Sequence, residues 1–291
     1  MKYILSFLVL TLVFNNCKRP NPLIVTLPPS EKKLAISSVV IPQNILAVSV
    51  SYSFSALINN TDSSGNSTFD STLYNQFLAD HALVTISYAG KTDTLFKLTP
   101  GVYASANILQ MPNETYTLQV HDSATDLRIQ AQSTMLEKVG FDSLYFTKER
   151  TITDTTVNVH FSIADDLQKQ NYYMVSYYNI AASPVYNAIF QNSTKEKFVL
   201  VEVYSDNVVD ADGKIRIDKP LFLPDQNDSM VVQLAHISKG YYEFLTAYKK
   251  TNQLIFQLLG EPVSLPTNII IGYGYFSTFN PTFKFVDLSK L

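Results

Sequence analysis

Apolar and small polar residues alternate along one early stretch of the chain. Leu46, Val48, Val50, Tyr52 and Phe54 point one way, and Ala47, Ser49, Ser51, Ser53 and Ser55 point the other. Period two of this kind predicts a strand with one dry face and one wet face. The alternation returns at Val84, Ile86 and Tyr88, at Tyr116, Leu118 and Val120, and at Leu127, Ile129 and Ala131. Turn signals stand between the runs at Ala89-Gly90-Lys91, Pro100-Gly101 and Pro112-Asn113. Short strands so spaced predict an immunoglobulin-like sandwich over residues 31–136. Asn59 to Ser71 is polar and reads as a loop, and Ser71 to Asp80 fits a helical turn or a short strand equally.

Residues 137–144 break the alternation and read as a linker. Beyond it the pattern predicts a second β-rich domain over 145–291. Its strands fall at Val157 to Ile163, Asn171 to Tyr178, Phe198 to Tyr204, Ile215 to Phe222 and Ser229 to Ile237, with a strand-like tail from Ile269 to Phe285. One helix interrupts it near 240–251. Tyr241, Phe244, Leu245 and Tyr248 recur at helical spacing after Ser238 as N-cap, and Lys249 and Lys250 suit the negative end of the helix dipole. The fold class is mainly all-β: an N-terminal immunoglobulin-like sandwich, then a second β-rich domain carrying one helix.

The start of the chain follows a different rule. After Lys2, residues Ile4 to Phe14 are apolar except for Ser6 and Thr11. That run suits the roughly 7–15 residues of a signal-peptide core and falls short of the ~20 needed to span a bilayer. Cys17, the single cysteine, comes directly after it. We expect residues 1–16 to be a lipoprotein signal peptide. The Cys17 thiol would then take diacylglycerol, with an amide-linked chain such as palmitate completing a stable anchor. Asn16 stands where the most common lipobox has Gly, Ala or Ser, and the alternative is an ordinary secretory signal with a chance cysteine. Residues 17–30 hold Pro20, Pro22, Pro28 and Pro29 and read as a stiff tether, with an edge strand at Leu23 to Leu27 as an option. A lipidated Cys17 leaves no thiol for a disulfide.

Charge and candidate chemistry change this picture little. Lys and Arg number 22 against 25 Asp and Glu, with no basic stripe, so nucleic acid is not an expected partner. His81, His121, His160 and His236 are scattered without metal-ligand spacing, and His160 falls on the outer face of its strand. Asp210 and Asp212 ahead of Gly213 read as a turn, with a loose calcium site as the alternative, because the register of a helix–loop–helix calcium site would place Val208 and Lys219 at ligand positions. Gly272-Tyr273-Gly274 lacks the helix a phosphate cradle needs and reads as a bulge or a close backbone approach. Asp165-Asp166 reads as solvated loop, and no Ser-His-Asp order or nucleophile elbow appears. The expectation is a protein that is not an enzyme and has no cofactor or metal. Tyr172, Tyr173, Tyr241, Tyr242, Tyr273 and Tyr275 are the candidate binding residues, against the plainer reading that they pack the core.

The order of several short pieces resembles a known family. They are Cys17, Pro28-Pro29-Ser30-Glu31-Lys32-Lys33-Leu34, Ala82-Leu83-Val84-Thr85-Ile86-Ser87, Pro100-Gly101-Val102-Tyr103 and Glu114-Thr115-Tyr116-Thr117-Leu118. Later come Asn171-Tyr172-Tyr173, Asp210-Ala211-Asp212-Gly213, Ile237 to Leu245, and Pro266-Thr267-Asn268-Ile269 leading to Gly272-Tyr273-Gly274-Tyr275-Phe276. In this order they resemble the Bacteroidetes lipoproteins grouped as domain of unknown function 4249. The resemblance implies a lipid-anchored outer-membrane protein working beside a TonB-dependent transporter, with no catalytic residues to carry over. Lys18-Arg19-Pro20 follow Cys17 where surface-exported lipoproteins of that phylum often carry acidic residues, so the periplasmic and surface faces both stay open. A partner-binding lipoprotein is the favoured reading. A glycan- or peptide-binding module is the alternative, and a hydrolase comes third.

Overall fold

The computed structural model describes residues 31–41, 45–53, 76–150, 155–166, 168–179, 198–223, 225, 229–251 and 264–291. Cys17, the tether, the predicted signal peptide and the loop at 59–71 lie outside the described residues. The chain is mainly β with one described α-helix of more than one turn.

The expected one-sided alternation builds the first sandwich. Its strands are β1 (Leu34–Ile41), β2 (Ile45–Tyr52), β3 (Ala82–Tyr88), β4 (Lys91–Thr99), β5 (Val102–Ser105), β6 (Thr115–Asp122) and β7 (Leu127–Thr134). On β2, Leu46, Val48, Val50 and Tyr52 are buried as predicted. β4 pairs with β3 on one side and with β5 on the other, with a register irregularity between Lys97 and Thr99. The sheet folds over there, so Val84, Ile86 and Leu118 meet Leu34, Val48 and Val50 in one core. Asp122, fully buried at the end of β6, accepts hydrogen bonds from Tyr52 Oη at 2.7 Å and from the Thr125 amide at 3.1 Å. Burial and this bond push the Tyr52 phenol up to about 12.

Residues from the far end of the chain complete that sheet. β14 (Ile269–Ile270) pairs with β7, and β15 (Tyr273–Tyr275) runs parallel to β1. The nine strands lie in the order β14-β7-β6-β3-β4-β5-β2-β1-β15. The sequence pattern groups this segment with the second set of strands; the backbone places it across the predicted 137–144 linker, in the first. Gly274 lies opposite Ile36, and a Cβ on it would stand 1.9 Å from the Ile36 carbonyl oxygen. Asn268 and Ser38 hold the segment further. Asn268 Oδ1 accepts from the Phe276 amide at 2.9 Å, and Ser38 Oγ accepts from the Ser277 amide at 2.8 Å.

The remaining strands form two smaller sheets. β8 (Ser143–Arg150), β9 (Thr155–Ala164) and β12 (Lys214–Leu221) make three strands in the order β12-β9-β8. β10 (Tyr172–Asn179), β11 (Val199–Ser205), β13 (Ser229–His236) and β16 (Thr282–Asp287) make four, in the order β11-β10-β13-β16. Phe146, Val159, Phe161 and Ile215 from the first pack on Tyr173, Val175, Tyr177, Val232 and Leu234 from the second. Every residue of β10 is buried. Its other face, with Tyr172 and Met174, joins Ala235, Ile237, Phe276 and Phe279 in the core of the first sandwich.

The helix α1 (Lys239–Thr251) covers that junction. Ser238 caps it, its Oγ accepting from the Tyr241 amide at 3.3 Å. Tyr241 packs on Tyr275 and Phe279, and Tyr242 lies 4.8 Å from the ring of Tyr172. At the C-terminal end, Glu202 on β11 binds Lys219 of β12 at 2.6 Å and Lys249 of α1 at 3.4 Å. Burial would raise the Glu202 carboxyl, but Lys219, Tyr204 and Lys249 together outweigh it and hold it below the ordinary range.

Two outcomes follow for stability. Gly274→Ala forces β15 off β1 and should cost about 3 kcal/mol by urea unfolding. Gly90→Ala, also at positive φ but with open space around it, should cost only about 1 kcal/mol. Glu202 contributes stability above its unfolded value of about 4.5, and loses it as pH falls through its lower folded value. Glu202→Gln should therefore lower Tm at pH 7 and lower it much less at pH 3. An equal loss at both would show that the Glu202 charge does not bridge the layers.

Candidate functional site

The cleft between the two sandwiches is built from the ends of elements. The turn at Asn113 and the stretch Leu136 to Val139 form one wall. The β9–β10 connection through Asp166, Lys169, Gln170 and Asn171 forms another, and His236 to Lys239, between β13 and α1, closes the floor. It encloses about 600 Å³.

Asn171 fixes one wall. Its backbone amide donates to both oxygens of Asp206, at 2.9 and 3.1 Å, and its Nδ2 donates to Asp165 Oδ1 at 3.1 Å. Tyr173 Oη donates to the same Asp165 oxygen at 2.5 Å. Asp165 is thus tied into the fold, where the sequence pattern reads a solvated loop; Asp166 is exposed. Burial, reinforced by Asp165, pushes the Tyr173 phenol far above its ordinary range. The Tyr173 ring stacks 5.4 Å from His236. Burial pushes the His236 imidazole down, and Asp165, Glu137 and Asp206 offset this only in part, so the ring is neutral at pH 7. The rim carries Lys138, Lys169 and Lys239 together with Glu137 and Asp166. Lys239 reaches Glu243 only at 3.8 Å. This is a wide, wet cleft with charges of both signs, suited to gripping an extended polar segment.

The six candidate tyrosines divide by place. Tyr172, Tyr173 and Tyr241 are 7%, 2% and 8% exposed and belong to the cores. Tyr242 and Tyr275 are half-buried against α1 and its neighbours, and Tyr273 is exposed on β15. Tyr172 and Tyr173 line the cleft; the other four do not. Cys17 lies outside the described residues. Lys138, Asn171, His236 and Lys239 escape sequence reasoning because they lie in separate stretches of the chain, and only the fold brings them to one cleft.

Other groups of chemical interest resolve locally. Arg216 takes the carboxylates of both Asp210, at 2.6 Å, and Asp212. Among the described residues no group of three or more His, Cys, Asp or Glu is placed to hold a metal ion. On the outer face of the three-stranded sheet, His160 Nδ1 meets Asp218 at 2.7 Å and His160 Nε2 meets Thr147 Oγ1 at 2.9 Å. The row has the order of a carboxylate–imidazole–hydroxyl relay. The Asp218 side chain, however, is 76% exposed, so water screens it, whereas a carboxylate that orients a catalytic imidazole is buried.

No curated protein matches the chain. Among solved structures it is similar to the selenomethionine-substituted chicken interferon gamma receptor alpha chain, at 5% identity and a TM-score of 0.20. That likeness covers 71% of this chain and 89% of the receptor chain, and at so low a score it carries no argument. The model of a domain of unknown function, DUF4249, matches residues 21–284. That span takes in both sandwiches, α1 and the strands that close the first sheet, and the chain belongs to the DUF4249 family.

Proposed function

We propose that the protein is a non-enzymatic, lipid-anchored lipoprotein of the outer membrane that binds a partner, a TonB-dependent transporter, through the cleft between its sandwiches. The observation that carries the binding role is the cleft itself: about 600 Å³, open, and edged by Lys138, Lys169, Lys239, Glu137 and Asp166. The address rests on the sequence argument for Cys17. Glycan binding is the weaker alternative, because a sugar stacks on an exposed ring face and the cleft tyrosines are buried by their own core. A peptide segment suits the mixed charge better, whether it belongs to the transporter or is cargo. A hydrolase would need a dry site with preorganised donors, and the His160 row lies on an open sheet face.

Two measurements test this. Cys17→Ser should move the protein from the membrane to the soluble fraction of cells; retention on membranes overturns the anchor. Cross-linking in cells followed by detergent extraction should recover a membrane β-barrel with the protein. The pair Lys169→Glu and Lys239→Glu should cut that yield about tenfold, as expected for rim charges that steer an encounter. Recovery of the lipoprotein alone, or an unchanged yield from the pair, overturns the cleft as the binding surface.

A further inference from the structure

Ile271 meets two penalties at once. Its φ is 61°, in the left-handed region that a branched Cβ disfavours, and its side chain is 74% exposed. Ile270 beside it is 59% exposed. Ile270 ends β14 and Ile271 opens the short link to β15, and both line an open groove of about 410 Å³ with Leu83, His121 and Arg128. Tyr273, two residues on, is half exposed. Nothing within the fold gains from leaving this apolar tip in water.

Its location gives it an occupant. Gly272 lies against the Leu34 carbonyl and Tyr273 pairs with Ala35, so the tip sits beside the start of β1. The Lys33 ammonium stands 5.6 Å from the Tyr273 ring, and that of Lys32 stands 3.5 Å from the Tyr52 ring. Fourteen residues separate Cys17 from Lys32, a covalent reach of at most about 50 Å. A lipid on Cys17 would therefore hold the start of β1 within that distance of the bilayer, at an effective concentration of roughly millimolar order.

We propose that the β14–β15 turn is a lipid-docking surface. Ile270 and Ile271 enter the boundary between headgroups and acyl chains, Tyr273 sits at headgroup level, and Lys32 and Lys33 face the phosphates. The proposal rests on the lipid-anchor reading above. Asp126 already holds His121 at 2.8 Å and Arg128 at 3.2 Å, so the groove is close to neutral. Apolar insertion, rather than salt-sensitive attraction, is the dominant contact.

The test uses the whole mature chain with a hexahistidine tag in place of Cys17, held on phosphatidylethanolamine–phosphatidylglycerol vesicles by a nickel-chelating lipid. A polarity-sensitive fluorophore is attached at Ile271→Cys, with Phe222→Cys on the second sandwich as the control site. On tethering, emission at 271 should rise about threefold as the probe leaves water, with little change at 222 and little effect of salt. Ile270→Ser added to the labelled chain should roughly halve the rise. A separate variant, Ile271→Asn, should leave Tm unchanged or higher, because asparagine tolerates the left-handed backbone; a lower Tm would mean that Ile271 is there for packing. Equal emission from free and tethered protein overturns the docking surface. So does a rise that grows with protein concentration in the absence of vesicles, which assigns the turn to a second copy of the chain. Because the nickel lipid replaces the native anchor, failure here leaves the Cys17 reading standing, and failure of Cys17→Ser to release the protein in cells leaves this result standing.

Discussion

Burial of β10 on both faces is the constraint on which the rest of the molecule depends. A strand that is dry on both sides must lie in a central layer. Tyr173, Val175 and Tyr177 give the second sandwich its core, while Tyr172 and Met174 belong to the core of the first. The two sandwiches are therefore joined through a shared sheet. Helix α1 seals the same junction, held by Tyr241 and Tyr242 at one end and by the Glu202–Lys249 contact at the other. A rigid junction of this sort fixes the width of the cleft beside it.

A connected set of polar groups stands where the layers part. Asn171, Tyr173, Asp165 and Asp206 are linked by hydrogen bonds, while Asp165 Oδ2, also buried, has no partner among the described residues. In a medium of low polarity such a network is stiff, because breaking one bond strands its partner. The Asn171 side-chain amide also donates to the backbone carbonyls of Asp166 and Lys169 on the rim, at 3.1 and 3.2 Å. Walls tied together in this way lose little order when a partner arrives.

How much of this was legible follows from burial. On β3, β6 and β7 one face is dry and one wet, so the alternation reads directly off Val84, Leu118 and Ile129 and their neighbours; on β2 Leu46, Val48 and Val50 alternate likewise, but Ala47 on the other face is buried too. α1 was equally legible from Tyr241, Phe244 and Leu245 after Ser238. β10 reads as a strand, with rings on both faces, but nothing local says that two different cores claim them. The two-residue and three-residue strands β14 and β15 are too short for any period, and only Gly272 and Gly274 hint that another backbone comes close. The cleft was hidden for a different reason. Asn113, Lys138, Asn171 and His236 come together only when separate elements end at the same place, and a polar residue at a strand end is ordinary in a sequence. Asp165 was misjudged likewise, since its partner Tyr173 is one of several tyrosines until the strand is placed.

The closure of the first sheet by Ile269 to Tyr275 has a temporal side. Ser38 and Ser277, which share two hydrogen bonds, stand 239 residues apart. Contacts of such separation form late, because the loop between them must be ordered first. A chain that emerges from its N-terminus leaves β1 and β7 with unpaired edges until Ile269 to Tyr275 have appeared. Unpaired edges invite pairing with other chains. The first sandwich is thus first in sequence yet stays open until Ile269 to Tyr275 arrive, only a few residues before β16 completes the second.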